Sequence, residues 1–349
     1  MEFDAIIAGA GIWGCTIARR IAERGQRALV LEARSCVGGN IRSNFDPETG
    51  IEVHLYGSHI FHTSNPSVWS FIRRFTGFTD YKHKVLASCN GKLYHLPIGR
   101  TLVSEFFGVD LPPSQLDDER KAALFNAFVR GYTSKQWGVQ PEDIDPAVIA
   151  RLKIRDDCST DYFDDTYQGI PADGYNAIFD RMLDHPNIVV ECDHPYSLST
   201  SEFVSSSIPV YYSGPIDALF NHKFGSLPWR TLVFRTERLA TGDFQGSAVV
   251  NYPDPSVPFT RIHEFRHFRP DRLSPCDATI IMREYPKAWE PGDVPYYPVE
   301  CENSRRLLAS YQDELSRHPN ITVGGRLGAY HYYDMDQSIA AALAVSLRE

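Results

Sequence analysis

The stretch "FDAIIAGAGIWGCTIARRIAERGQRALVLE", residues 3–32, constrains the fold more than any other part of the chain. An apolar run leads into Gly9-x-Gly11-x-x-Gly14, a helical pattern follows, and a second apolar run ends in Glu32. Each part has a physical task. Gly9 permits a tight turn, Gly11 lets main chain approach a pyrophosphate, and Gly14 lets helix and strand touch. The helix N-terminus adds amide donors and the positive end of its dipole. Glu32, about twenty residues beyond the turn, stands where a carboxylate grips a ribose diol. The pattern predicts a strand–turn–helix–strand unit that binds a dinucleotide. A glycine-rich turn between core elements would leave Glu32 without a task.

The 349 residues are long enough for two or three domains and a sizeable core. A formal net charge of −9, with no basic stripe, argues against a nucleic-acid partner. The seven cysteines, at 15, 36, 89, 158, 192, 276 and 301, include no C-x-x-C pair. Their odd number and spacing read as the reduced thiols of a cytosolic protein, with neither a disulfide framework nor a zinc site. The apolar opening reads as part of the fold and not as a cleavable leader. No apolar run is long enough to span a bilayer. A soluble, cytoplasmic protein without membrane insertion is expected.

"EARSCVGGNIRS" continues from Glu32 and sets Gly38, Gly39 and Asn40 one short loop beyond it. This resembles the extended fingerprint of the glutathione-reductase-like FAD proteins, whose second glycine pair helps seat the flavin half. The resemblance favours FAD over NAD. "YGSHIFHT" then places His59 and His62 on one segment. No further ligand cluster accompanies them, so no metal is expected. Packing against the flavin ring suits them better, with ordinary loop histidines as the alternative.

The middle of the chain changes character. "PPSQLDDERKAALFNAFVRGYTSKQWGVQPEDIDPAVIARL" carries Leu116, Ala123, Leu124 and Phe128 at helical spacing, which predicts two short helices broken near Gly138 and Pro141. Phe128, Tyr132, Thr133 and Trp137 fall on the tail of the first. An aromatic stripe at this spacing is ordinarily core. Tyr132 and Trp137, next to Thr133, Lys135 and Gln136 where a helix ends, instead suit a platform for a nucleobase. Strand signals follow in "NIVVEC", "IPVYYSGPIDALF", "TLVFRTERL", "SAVVNYPDPSVPFTRIHEF" and "ATIIMREYP", predicting an antiparallel sheet over the cofactor. "ENSRRLLASYQDELSRHP", "NITVGG" and a helix from Ser338 to Leu347 return to the first domain. Ahead of that last helix crowd Arg326, Tyr330, Tyr332, Tyr333, Asp334 and Asp336.

The expected fold is α/β: an FAD-binding Rossmann-like (glutathione-reductase-like) domain with an inserted helical domain and an antiparallel sheet domain. The dinucleotide domain takes 1–65, 205–230 and 305–349; the helical substrate domain 66–80 and 100–158; the sheet domain 81–99, 159–204 and 231–304.

"RGYTSKQWG", "DYFDDTYQGIPADGY", "SGPIDALF", "NYPDPSVPFTRI", "REYPKAW", "PYYPV" and "GGRLGAYHYYDMDQ" join "GAGIWG", "VGGN" and "YGSHIFHT" in one order along nearly the whole chain. Together they resemble the bacterial UDP-galactopyranose mutases. The resemblance implies FAD, active when reduced, and a UDP-galactose-type nucleotide sugar. It implies interconversion of pyranose and furanose forms through a covalent flavin N5–sugar adduct, with no net redox. It implies a role in cell-wall or capsule polysaccharide synthesis. It puts Trp137 by the uracil with Phe128, Tyr132 and Thr133 around it, and Tyr162, Tyr297 and Tyr332 on the diphosphate. It makes Arg151 the mobile-loop arginine and Arg261 its fixed partner, with Asn251 in the same pocket. Arg326 and Asp334 would meet FAD and the sugar side, and Met335 the flavin ring. His59 and His62 join Arg151 and Arg261 in the catalytic centre.

Two features depart from the family pattern. Trp13 stands where a phenylalanine is usual, and the segment between "SEFFGV" and "RGYT" is short. That segment belongs to the helical domain, which puts the family's homodimer contact in question. Three alternatives stay open: the same chemistry on UDP-N-acetylgalactosamine or a dTDP-6-deoxyhexose, an amine-oxidase-like flavin oxidoreductase, and a nucleotide-sugar or FAD binding protein without turnover. Paired arginines weigh against the oxidase, because an amine substrate needs no diphosphate clamp.

Overall fold

The computed structural model describes residues 3–140, 142, 154–198, 208–272 and 277–348. Strand β1 (Ala5–Ala8), helix α1 (Ile12–Ala22) and strand β2 (Ala28–Leu31) form the opening unit. Every residue of β1 and β2 is buried, the signature of a parallel sheet covered on both faces. The sheet has five strands, all parallel, in the order Ile321–Val323, Val210–Tyr212, β1, β2, Ile188–Glu191. Strand alternation divides its side chains between two cores. Ile7, Val30 and Tyr211 pack under α1, the helix Asn176–Leu183 and the final helix Met335–Ala344. Ile6, Leu29, Leu31 and Tyr212 pack on the other face with Trp229, Tyr311 and Tyr330.

Three segments sit in this layer that the sequence reading put elsewhere. The helix Pro66–Ile72 was expected in the helical domain, yet Val68, Phe71 and Ile72 pack into the core beneath α1. The helix Asn176–Leu183 and the strand Ile188–Glu191 were expected with the antiparallel sheet. "IVVE" instead extends the parallel sheet alongside β2, with Leu29 opposite Val189. It is the sheet's edge strand, half-buried to exposed along its length, so its apolar pattern alone did not mark its place.

The second sheet has seven strands, in the order Tyr297–Pro298, Trp229–Leu239, Thr279–Ala288, Arg261–Glu264, Val249–Asn251, Val85–Cys89, Lys92–Leu96. Its pairs are antiparallel except for Val249–Asn251, which runs parallel to Val85–Ala87. The chain from 118 to 137 is continuous and helical. The helix Asp118–Leu124 passes into wide π turns over Phe125–Arg130, then into the helix Gly131–Trp137, which stops at Gly138. A π segment shifts the phase of whatever follows it and often marks a functional site. Here it precedes Tyr132. Among the described residues no helix is long and apolar enough to cross a membrane.

Candidate functional site

A cleft of about 460 Å³ opens beside the β1–α1 turn. Gly9, Gly11, Glu32, Gly38, Gly39, Asn40, His59, Arg326 and Met335 line it, nine of the positions read from the sequence as cofactor contacts. Gly9 has φ +106°, a left-handed conformation, and a side chain there would strike Ser213. Gly14 lies behind the wall, where a Cβ would overlap the Gly9 carbonyl. Gly11 faces open space. Glu32, 6% exposed, is fixed at the end of β2 by two main-chain donors: Ala10 N–H reaches Oε2 at 2.7 Å and Arg34 N–H reaches Oε1 at 2.9 Å. Arg34 donates to Asn40 Oδ1 at 2.9 Å and lies over the Tyr56 ring.

At the other end stand His59, Arg326, Tyr333 and the first turns of the final helix, Met335 and Ser338. Burial, then the nearby Arg326 charge, lowers the His59 pKa to about 4, so the ring is neutral near pH 7. Its buried Nδ1 has no hydrogen-bond partner. Arg326 donates Nε and NH2 to the Tyr333 carbonyl at 3.1 and 2.6 Å and lies 4.8 Å over the Tyr332 ring. Asp334 is not on the cleft wall. It starts the final helix in a capping box with Gln337, donating its N–H to Gln337 Oε1 at 2.9 Å. Part of the crowd of polar residues is therefore explained by helix initiation. Tyr330 is core: its hydroxyl donates to the Val299 carbonyl at 3.0 Å, and its ring meets Trp229 at 4.8 Å.

A dinucleotide with a flavin ring fits these groups. The glycine turn leaves room for a pyrophosphate, and Glu32 is held as a carboxylate acceptor. The unpartnered His59 nitrogen and the final helix N-terminus stand where a polar ring system would lie.

The second half of the site is assembled on the seven-stranded sheet. Strand register aligns Asn251, Arg261 and Glu284 in one row, because directly opposed residues share a face. Glu284, 2% exposed, lies 3.2 Å from Arg261 Nε and 3.2 Å from His263 Nε2. Burial alone would raise its pKa, but Arg261, His263 and Thr260 together hold it below the usual carboxylate range. Arg261 also donates to the Tyr132 hydroxyl. Burial works against its charge. The Glu284 carboxylate more than offsets that and keeps it protonated.

From Arg261 the aromatic contacts lead back to the cleft. Tyr297 stacks on Tyr332 with centroids 5.7 Å apart and meets Trp137 at 6.3 Å, while Tyr332 lies under Arg326. The fold thus gathers Tyr132, Tyr162, Trp137, Asn251, Arg261, Tyr297 and Tyr332 from distant segments. Thr133 is buried on the same helix. Phe128 is not part of this group. It is 6% exposed and packs on Tyr94 and Phe106, so its ring belongs to the helical core. His62 stacks on Phe163 at 3.7 Å and bonds Asp165 through Nδ1 at 2.8 Å. Arg151 lies outside the described residues.

Sequence reasoning missed Glu284 and a floor of buried histidines, His54, His83 and His263. Burial lowers the pKa of each, that of His83 to about 3. The period of two in "RIHEF" put Arg261 and His263 on one face and was the available signal. Asp243, Glu264 and His267 bring ligand-type atoms within 4.8 Å of one another, but none of them lines the cleft.

Comparison with known proteins bears on both halves. A family model described as UDP-galactopyranose mutase matches residues 127–332, and one for an NAD(P)-binding Rossmann-like domain matches residues 7–75. A protein of Klebsiella pneumoniae named as a probable UDP-galactopyranose mutase is 36% identical, over 97% of this chain and 93% of its own. A dTDP-fucopyranose mutase of Escherichia coli is 34% identical, over 97% and 96%. A crystal structure of a reduced UDP-galactopyranose mutase superposes with a TM-score of 0.73 at 15% identity, covering 98% of this chain and 93% of that one, which establishes a shared fold.

Proposed function

The chain belongs to the UDP-galactopyranose mutase family, and from that premise we propose that it interconverts UDP-galactopyranose and UDP-galactofuranose, with FAD as cofactor and no net redox change. The observation that carries this reading is Arg261, a guanidinium fixed by Glu284 and Tyr132 in a row with Asn251, where the base-platform helix meets the sheet. Gly9, Gly11, Gly38, Gly39 and Asn40 would offer main chain to the cofactor, Glu32 its carboxylate, and His59, Arg326 and Met335 the wall at the ring end. Reduced flavin, when bound, would supply a nucleophilic nitrogen for the anomeric carbon.

The chain's own residues do the rest. UDP departs as an anion, and a guanidinium that cannot lose its proton stabilises the charge that grows on the diphosphate. Burial raises the pKa of Tyr132, Tyr297 and Tyr332, so their hydroxyls stay protonated donors at neutral pH. Tyr162 and Asn251 complete the diphosphate cradle, and Trp137 with Thr133 takes the base. Arg151 is assigned the second diphosphate contact by the family resemblance. Binding energy from the nucleotide, remote from the reacting carbon, positions the sugar. The proposed setting is the cytoplasm, upstream of polysaccharide assembly.

Similarity to the dTDP-fucopyranose mutase, 34% identical, favours a second reading in which the same chemistry acts on a dTDP-6-deoxyhexose. Dithionite-reduced enzyme incubated with UDP-galactose, UDP-N-acetylgalactosamine and a dTDP-6-deoxyhexose, with ring forms separated by chromatography, distinguishes the substrates. Stoichiometric oxygen consumption would point to an oxidase instead. Arg261→Ala should lower turnover by about 10²–10³-fold with flavin content unchanged. Wild-type turnover in that variant sinks the clamp.

A further inference from the structure

The helix that carries Tyr132 and Trp137 is fastened to the seven-stranded sheet by two cations. Lys135 points its ammonium into the loop 252–259, which joins the strands Val249–Asn251 and Arg261–Glu264. There it donates to four main-chain carbonyls, those of Tyr252, Asp254, Val257 and Phe259, at 2.5, 2.8, 3.0 and 3.0 Å. Three N–H donors shared among four acceptors make a caged cation and not a single ion pair. From the sheet, Arg230 donates Nε to the Gln136 carbonyl at 3.0 Å and NH2 to the Lys135 carbonyl at 3.2 Å, satisfying groups that a helix leaves open at its C-terminus. Gly131, one turn earlier, lies so close to the Pro253 carbonyl that no side chain fits. The caged loop continues directly into Asn251 on one side and Arg261 on the other. One ammonium therefore ties the base-platform helix to both strands that carry the diphosphate groups.

We propose that Lys135 is a positioning residue. By closing the carbonyl cage of 252–259, its ammonium sets the spacing between the Tyr132–Trp137 helix and the Asn251–Arg261 strand pair, and thereby the affinity for the nucleotide half of the substrate. This rests on the reading of Trp137 as the base platform. The cage requires the proton, because a neutral amine has one donor fewer and turns a lone pair toward carbonyl oxygens.

Burial lowers the Lys135 pKa to about 8, partly opposed by Asp254. Among the described residues, few charged or titratable groups face the ammonium. The Asp254 carboxylate is turned to Ser256, accepting from its N–H and hydroxyl at 2.8 Å each. The Tyr252 phenol has its pKa raised by burial, and the Arg230 guanidinium carries a fixed positive charge on the sheet side. Neither Tyr252 nor Arg230 changes charge near pH 8. Nucleotide affinity is then full below about pH 8 and falls as pH rises through it.

UDP binding to the holoenzyme tests this. Lys135→Met should raise the Kd for UDP and the KM by about 10- to 100-fold, the worth of a charged hydrogen-bonding group, with flavin content kept and kcat altered much less. Lys135→Ala should recover UDP affinity with ethylammonium but not with tetramethylammonium, which has the charge without N–H donors. In wild type the Kd should climb above about pH 8, whereas Lys135→Arg should give a flat profile. Equal recovery by both ammonium ions overturns the proposal. So does an unchanged Kd in Lys135→Met while Trp137→Ala weakens UDP binding. If neither variant changes the Kd, the base-platform reading itself fails. Should Lys135→Met not fold, the wild-type profile decides, and a flat Kd across pH 8 overturns the proposal.

Discussion

The two halves of the site are made of different materials. The dinucleotide cleft is chiefly main chain: a glycine turn, a helix N-terminus, a second glycine loop and one carboxylate held by amides. Nearly half of its lining comes from residues 8–41. The half proposed to hold the nucleotide sugar is made of side chains, with Tyr132, Tyr162, Arg261, Tyr297 and Tyr332 supplied by separate segments. A backbone-built cleft is sensitive where a Cβ would intrude and tolerant elsewhere. A side-chain-built site depends on strand register and on the ionisation of buried groups.

Two glycine substitutions give the largest expected effect on the first half. A Cβ at Gly14 would overlap the Gly9 carbonyl, whereas one at Gly11 meets nothing within 4 Å. Gly14→Ala should therefore force α1 off β1, destabilise the apoprotein by about 1–3 kcal/mol or more, and yield no flavin-loaded protein. Gly11→Ala should leave apoprotein melting unchanged and weaken only the holoprotein. Equal melting shifts in the two apoproteins would show that the turn is not packed as described.

Buried histidines should make both halves respond to pH. His54, His59, His83 and His263 all have pKa values lowered first by burial, to about 4 for His59 and about 3 for His83. Unfolded, each would titrate near 6.5. Between these values the unfolded chain binds protons that the folded one refuses, so stability is full above about pH 6.5 and is lost as pH falls. Each such histidine costs on the order of 1.4 kcal/mol per pH unit. His267 works in the opposite sense, since Glu264 and Asp243 overcome its burial and raise its pKa. Urea midpoints between pH 5 and 6.5 isolate the effect, because most carboxylates titrate lower. His83→Gln should flatten the profile by about one histidine's slope. A slope equal to that of wild type would mean that the ring is not buried neutral.

The difference between the halves also explains what was legible in the sequence. Gly9, Gly11, Gly14 and Glu32 sit in one local string, so spacing alone placed them. The strands and the final helix followed from apolar pattern, but the layer that some of them joined did not. "IVVE" reads as a strand, and only the free edge of β2 makes it a parallel one. Glu284 was invisible for a related reason. In "MREYP" it is an ordinary strand acid, and it becomes Arg261's partner only through the pairing of Arg261–Glu264 with Thr279–Ala288. Lys135 could be noticed beside Trp137, yet its four acceptors lie more than a hundred residues away. Register and long-range contact are set by the whole chain, and no short window contains them.

Phe128 offers the smallest effect and the finest division between the halves. The family resemblance sets it near the base, while its packing against Tyr94 and Phe106 makes it core. The two roles separate cleanly in Phe128→Leu, which keeps a large apolar side chain but loses the edge-to-face ring contacts. If the ring is core, stability should fall by about 1 kcal/mol, the cost of an imperfect volume match plus a lost aromatic pair, and UDP affinity should hold. If the ring touches the base, affinity should fall with little change in melting. The wide π turns over Phe125–Arg130 bear on the outcome, because they let the chain bury Phe128 and still turn Tyr132 toward Arg261 one turn later. A regular α-helix would place residues four apart on the same face, and the phase shift of the π segment is what lets these two face different neighbours.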